Sequence, residues 1–382
     1  MTTPIYLDHH ATTPLDARVL EAMLPCLRDE FGNASSRHHA YGRRAAALVE
    51  QARERVAAAI GARYSELVFT SGATESNAIA IQGTARMRPG AHLVTTAIEH
   101  RAVLDTCRRL EREGWPLTVV PVDRWGRVDP HDIARALRAD TALVSVMAAN
   151  NEIGTLQPLA EIGALLRDGP ALFHVDATQA VGRVALDVDA LGIDLLSMSA
   201  HKLYGPKGVG ALYVRRRPRR VELQPLADGG GQENGLRPGT LNVPGIVGLG
   251  VACELALACR DEENARLGRL RERLLGHLRQ ALDGLSVNGH PEWRLAGNLS
   301  IGIEGVEPEA LLLGLPELAV SAGAACSSAS ARPSHVLEAI GATGATTRAA
   351  LRVGIGRFNT AEEIDRAARL LVERVRALRA AR

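Results

Sequence analysis

Seven short apolar runs, spaced through the first 214 residues, constrain this chain more than any other feature. They are ELVFT (66–70), HLVTT (92–96), LTVVPV (117–122), ALVSVMA (142–148), LFHVDA (172–177), LLSMSA (195–200) and GALYV (210–214). Most are continuously apolar instead of alternating, as strands covered on both faces must be. Amphipathic helical patterns, among them 100–113 and 158–168, lie between several of them. A strand–helix–strand rhythm with buried strands predicts an α/β fold with a mostly parallel central sheet and helices on both faces. The rhythm ends near residue 244. A long helical pattern over about 244–282 follows, then strands at GNLSIGI (297–303) and LRVGIG (351–356), and a last helix opening at Thr360 with Glu362 and Glu363 in its first turn. The predicted organisation is a large α/β domain over 16–255 and a smaller α+β domain from 1–15 and 256–382. The first helical pattern, near 15–28, has no place in the large sheet and is free to join the smaller domain.

A chain of 382 residues suits two cores, and 46% hydrophobic with 23% charged residues excludes a disordered or fibrous protein. The net charge of +2 gives no field of the kind that marks a nucleic-acid or membrane-surface protein. The N-terminus has no basic-then-apolar signal pattern, and no uninterrupted apolar run reaches about 18 residues, so the expected compartment is the cytoplasm. The five cysteines are scattered, without CxxC spacing, so neither a metal site nor a disulfide framework is expected. The basic residues are lopsided. Only Lys202 and Lys207 are lysines, against 43 arginines. Codon bias accounts for the arginines. It also makes each lysine informative, because an arginine cannot form a Schiff base.

In open α/β sheets ligands gather beyond the carboxyl ends of the strands, and five such ends carry chemistry here. In SMSAHKLYGPKGVGALYV (197–214) an apolar strand runs into Ser199, His201 and Lys202. An isolated loop lysine is usually solvated, a description that fits Lys207 better than Lys202. In LFHVDATQAVGR (172–183) Asp176 ends a strand 26 residues before Lys202. Alone it reads as a turn residue. With a strand-end lysine it matches the needs of pyridoxal phosphate (PLP), whose pyridine nitrogen requires a carboxylate. FTSGATESNAIA (69–80) opens a helix whose N–H groups at Gly72, Ala73 and Thr74 can bind a phosphate; an ordinary capping box is the plainer reading. His100 follows the strand 92–96 and can stack over a ring, and AANNEIG (148–154) offers the amides of Asn150 and Asn151. Each signal is modest, and together they point to PLP.

These same segments, with YLDHHATTPLD (6–16), FGNASSRHHAYG (31–42), GGGQENGLRPGT (229–240) and SAGAACSSASARPSHVL (321–337), resemble the NifS/IscS-type cysteine desulfurases of the class V aminotransferases. The likeness is collinear over nearly the whole chain. It implies the fold type I architecture of PLP-dependent transferases, a homodimer, L-cysteine as substrate, and a sulfur-acceptor protein of an iron–sulfur or thiolation pathway. Lys202 would hold PLP, Asp176 pair with its pyridine nitrogen and His100 stack on it. Asn151 and Gln179 would contact its phenolic oxygen, and Ala73, Thr74, Ser199 and His201 its phosphate. Thr240 would reach the phosphate in the other subunit. Asn33, Asn151 and Arg352 would bind substrate, with Arg352 on its carboxylate. Cys326, in a small-residue loop over about 321–333, would be the nucleophile. Cys107, Cys253 and Cys259 lie in helical patterns and fit the core. A selenocysteine lyase or an aminotransferase would share all of this except the need for Cys326.

Overall fold

The computed structural model describes residues 3–322, 334–342 and 350–381. Seven strands form one sheet in the order Leu67–Thr70, Gly210–Val214, Leu195–Ser199, Leu172–Asp176, Thr141–Ser145, His92–Thr96, Leu117–Val120. The last five are mutually parallel. The strand Gly210–Val214 runs antiparallel to both its neighbours, a local reversal that continuous apolarity could not signal. The four strands Leu195–Ser199, Leu172–Asp176, Thr141–Ser145 and His92–Thr96 are buried along their whole length, so apolarity on both faces is what the fold demands.

A smaller four-stranded antiparallel sheet has the order Ser321–Ala322, Ala350–Gly354, Asn298–Ile303, Leu285–Asn288. The helix Ala361–Ala380 covers it, burying Ile364, Leu371 and Val375. Its start is the expected capping box, with the Thr360 hydroxyl accepting from Glu363 N and the Glu363 carboxylate accepting from Thr360 N.

The helix Val243–Ala281 spans 39 residues and serves both cores. Its first half buries Val247, Leu249 and Cys253 with the large sheet. Its second half buries Leu267, Leu274 and Leu278 with the small one. Among the described residues it alone has the length and hydropathy to cross a membrane; 56% of its apolar window is buried within the protein. The helix Ala17–Arg28 packs Val19, Met23 and Cys26 into the large core. It therefore does not join the smaller domain, because its apolar stripe matches the first half of the long helix.

The N-terminal segment crosses from one core to the other. Ile5–Tyr6 pairs in parallel with Leu318–Ala319 of the small domain, and Gly354 exchanges backbone hydrogen bonds with Leu7 and His9. Four residues further on, Thr13 N donates to the His201 carbonyl beside Lys202. Residues 8–13 thus line the cleft between the domains.

Candidate active site

The carboxyl ends of the parallel strands converge on a cavity of about 510 Å³. Asp176 is the last residue of its strand, and its orientation is fixed from two sides. Oδ1 accepts from Thr178 N at 3.0 Å and from the Thr178 hydroxyl, and Oδ2 accepts from Asn77 Nδ2 at 2.8 Å. Beneath it on the same face, the buried His174 ring bridges the Ser145 and Ser197 hydroxyls at 2.8 and 3.0 Å. Burial pulls that imidazole down to about 4, so it is a neutral strut.

Lys202 leaves the strand end in a short 3-10 turn. Its Nζ donates to the carbonyls of His10 and Ala11 at 2.5 and 2.7 Å. The crossing segment therefore holds the amine at the cavity wall. His201 lies beside it with Nδ1 at 3.1 Å from the Thr12 hydroxyl. Burial, and then the charges of Lys202 and Lys207, bring its imidazole down to about 4.

His100 caps the helix Arg101–Arg112, with Nδ1 accepting from Ala102 N at 3.1 Å. That assignment puts the proton of the neutral ring on Nε2. Directly behind it, Glu99 is fully buried. Its Oε1 accepts from the Thr96 hydroxyl and from Met147 N at 2.7 and 2.8 Å. Burial pushes this carboxyl up to about 8, against those two hydrogen bonds and with help from the charge of Asp176.

The anion cradle lies opposite. Gly72 caps the helix Ala73–Met87 at φ 150°, a conformation that favours glycine. Gly210 permits the close approach, since a Cβ there would stand 2.7 Å from Gly72 Cα. The first N–H groups of that helix have no partner within it, and Ala73, Thr74 and Ser199 line the same cavity. Glu75, three residues into the helix, accepts from Ser71 N and is balanced by Arg237 Nε at 3.1 Å.

On the small-domain side, Arg352 enters from Ala350–Gly354. Its guanidinium donates to Asp8 Oδ1 at 2.9 Å and to the Asn151 carbonyl at 3.1 Å. Ala73, Thr74, His100, Asn151, Asp176, Gln179, Ser199, His201, Lys202 and Arg352 therefore surround one space, and Lys207 joins them at its rim. The Gln179 amide is partly engaged, donating to the His10 carbonyl at 2.9 Å and accepting from Arg183 at 2.8 Å.

Two expected site residues lie elsewhere. Asn33 is exposed and folds its Oδ1 back onto Ser35 N, at 2.9 Å. Thr240 is exposed, next to Leu241 of a separate cleft that Ala34, Ser35 and Gln232 also line. Cys326 lies outside the described residues. Burial pushes the thiols of Cys107 and Cys253 up to about 12, which suits inert core residues. Cys259 is half-buried.

Sequence reading missed Asn77, Thr178 and Asp8. Asp176-Ala177-Thr178 is a side-chain turn pattern that could have flagged the threonine. Asn77 stands one turn beyond Thr74 on the same helix and shares its face.

The family model for class-V aminotransferases matches residues 5–367, and the chain belongs to that family. Within it, the near relatives are cysteine desulfurases. The cysteine desulfurase IscS of Anaeromyxobacter dehalogenans (strain 2CP-C) is 54% identical over 381 residues, covering 99% of this chain and 94% of the relative. A solved NIFS-like protein superimposes with a TM-score of 0.90 at 37% identity, covering 97% of this chain and 99% of its own. A structure described as SspA in complex with cysteine matches at 0.83 and 38% identity, over 93% and 99% of the two chains.

Proposed function

We propose that the protein is a PLP-dependent cysteine desulfurase that converts L-cysteine to L-alanine and takes the sulfur onto Cys326 as a persulfide. The observation that carries the reading is the convergence of Lys202, Asp176, His100 and Arg352 on one cavity at the strand ends. The residues present fit the cofactor. Besides the amine, the carboxylate and the anion cradle, His10 and Asn77 line the cavity, and each has a buried polar atom without a partner among the described residues, His10 Nε2 and Asn77 Oδ1. Orphaned polar atoms around a cavity imply a polar occupant.

In this reading Ala73, Thr74, Ser199 and His201 hold the phosphate, Asp176 faces the pyridine nitrogen, and Gln179 and Asn151 face the phenolic oxygen. Lys202 holds the cofactor covalently. PLP supplies an electron sink that makes the α-proton of a bound amino acid removable and loosens the bond from Cβ to sulfur. Arg352 binds the substrate carboxylate and so fixes which group faces the Lys202 amine, which takes the α-proton. His100, with its proton on Nε2, stands where the substrate's thiol proton can be handled. The overall exchange balances without an outside reagent. The Cβ–S bond of cysteine breaks, Cβ gains hydrogen, and the Cys326 thiol becomes a persulfide.

The same reading makes the protein a cytoplasmic homodimer. Thr240 stands away from the cavity of its own chain, which suits a residue that serves the site of a second copy. The exposed Leu20, Leu24, Leu27 and Phe31 give a second copy an apolar surface to cover. The persulfide then passes to an acceptor protein of an iron–sulfur or thiolation pathway.

Quantifying alanine and sulfide from L-cysteine under reductant tests the reading. Equal amounts of the two are expected. Cys326→Ser should keep the cofactor's absorbance and lose sulfide release. A keto acid with pyridoxamine phosphate would instead identify an aminotransferase.

A further inference from the structure

The turn that follows Asp176 carries both Gln179 and Arg183, and Gly182 sets its course. That glycine has φ 72°, in the left-handed region, and a Cβ on it would stand 2.5 Å from Ala256 Cβ of the long helix. The same helix anchors the turn, since Asn264 Nδ2 donates to the Arg183 carbonyl at 2.7 Å. The Arg183 guanidinium is thereby brought between Gln179 and Lys202. One of its nitrogens donates to Gln179 Oε1 at 2.8 Å and the other to the Lys202 carbonyl at 2.9 Å.

The roles of these groups follow from their chemistry. A guanidinium can only donate and a backbone carbonyl can only accept. The side-chain atom of Gln179 that meets Arg183 is therefore its oxygen. The atom 2.9 Å from the His10 carbonyl is its nitrogen. The His10 ring approaches the same Gln179 oxygen, with Nδ1 at 3.2 Å. An amide oxygen only accepts, so Nδ1 carries the ring proton and Nε2 holds the lone pair. Nε2 is also the ring nitrogen that has no partner among the described residues. A second proton on the ring is disfavoured. Burial, and then the charges of Arg183 and Arg352 with that of Lys202, hold the imidazole well below its ordinary value, against the Gln179 hydrogen bond. Both lone pairs of the Gln179 oxygen are thus taken. Its nitrogen has one N–H on the His10 carbonyl and a second left for the cavity that the residue lines.

We infer that His10 and Arg183 are positioning residues that lock the Gln179 amide with an N–H, and not its oxygen, toward the phenolic oxygen of the cofactor. The inference deepens the PLP-dependent reading and rests on it. The two ends of an amide have nearly the same shape, so only its partners choose between them. The wrong choice would set oxygen against oxygen. Both positioning residues also hold Lys202. The His10 carbonyl accepts from Lys202 Nζ at 2.5 Å, and Arg183 donates to the Lys202 carbonyl. The amine and the amide are therefore placed by the same pair of residues.

The test follows the visible absorbance of the holoenzyme's cofactor against pH, a readout that needs no turnover. An N–H facing the phenolic oxygen favours its anion, so the pH midpoint of that band is held low. His10→Phe removes one donor to the amide oxygen. Arg183→Lys keeps the charge and loses the fork that reaches Gln179 and Lys202 together. The double variant should raise the midpoint by about 1 pH unit, the scale of one hydrogen bond, and each single variant by less. His10→Asn, whose amide can donate in place of Nδ1, should keep the wild-type midpoint. Gln179→Leu should raise the midpoint about as far as the double variant, and in that background His10→Phe and Arg183→Lys should add nothing. In 15N-histidine spectra of the wild-type holoenzyme, the His10 ring, assigned by its loss in His10→Phe, should be neutral with its proton on Nδ1. A wild-type midpoint in the double variant, equal shifts with and without Gln179, or a proton on Nε2 would each overturn the inference. A wild-type midpoint in Gln179→Leu would remove Gln179 from the phenolic oxygen, and the inference with it. A wild-type chain that takes up no PLP would instead overturn the underlying reading.

Discussion

The cavity has two unlike walls. The large-domain wall is built from strand ends, and each of its groups sits within a few residues of a buried strand: Asp176 at an end, Lys202 one short turn beyond, His100 at a helix cap. The small-domain wall is assembled from distant pieces of chain. Its centre is Arg352 held by Asp8, a pair 344 residues apart in sequence. The first wall inherits its rigidity from the sheet. The second depends on the crossing segment 8–13 and on a helix shared between cores. In the proposed function, cofactor chemistry falls to the rigid wall and substrate recognition to the assembled one.

Breaking the first wall should have the largest effect. Lys202→Ala should abolish the visible absorbance of the bound cofactor and lower turnover at least about 10³-fold, as expected when covalent attachment and a proton-transfer group are lost together. Retention of both the band and turnover would place the amine elsewhere.

The shared helix allows a comparison within one element. Leu249 and Leu274 are both fully buried, one in each core. Truncating either to Ala should cost about 2–5 kcal/mol in denaturant unfolding. Leu274→Ala should raise KM for cysteine more than it weakens cofactor binding, because it loosens only the core beneath Arg352. Equal effects of the two variants on both constants would mean that the walls are not mechanically separate.

Arg352→Lys tests the division at the site itself. Lysine keeps the charge but not the planar fork that reaches Asp8 and Asn151 together. KM for cysteine should rise roughly 10- to 100-fold, the scale of a charged hydrogen bond, with the cofactor's absorbance intact. Loss of the absorbance would show that Arg352 supports the cofactor wall.

The same contrast explains what was legible in the sequence. Strand ends announce themselves locally, so Lys202, Asp176 and His100 could be singled out before any coordinate was known. The βα rhythm also places Thr74 at a helix start. Asp8 has no such signature. It sits in an N-terminal segment whose partner strand begins near residue 350, and only tertiary pairing of Leu7 and His9 with Gly354 brings it to Arg352. The antiparallel course of Gly210–Val214 was hidden for a related reason, since a strand buried on both faces looks alike in either direction. The helix Ala17–Arg28 was open to misplacement because an amphipathic stripe shows that a helix packs, and not against which core.

A last effect, read on stability alone, concerns Glu99, the buried acid behind His100. Its carboxyl is held up to about 8, from an ordinary value of 4.5, chiefly by burial. Between those values the folded protein keeps the proton that the unfolded chain has released. Unfolding therefore releases a proton in that window, and rising pH favours the unfolded state. The stability this group contributes is complete below about 4.5 and is lost as pH climbs through about 8. The slope is at most about 1.4 kcal/mol per pH unit. Glu99→Gln keeps the shape and removes the titration. Its melting temperature should decline less than that of the wild type between pH 5 and 8, so that the variant gains on the wild type as pH rises. Equal slopes would show that Glu99 ionises in the folded state at its ordinary pH. The wall behind His100 would then contain a charge, and a fixed negative charge there would favour the protonated imidazole over the neutral ring assigned to the site.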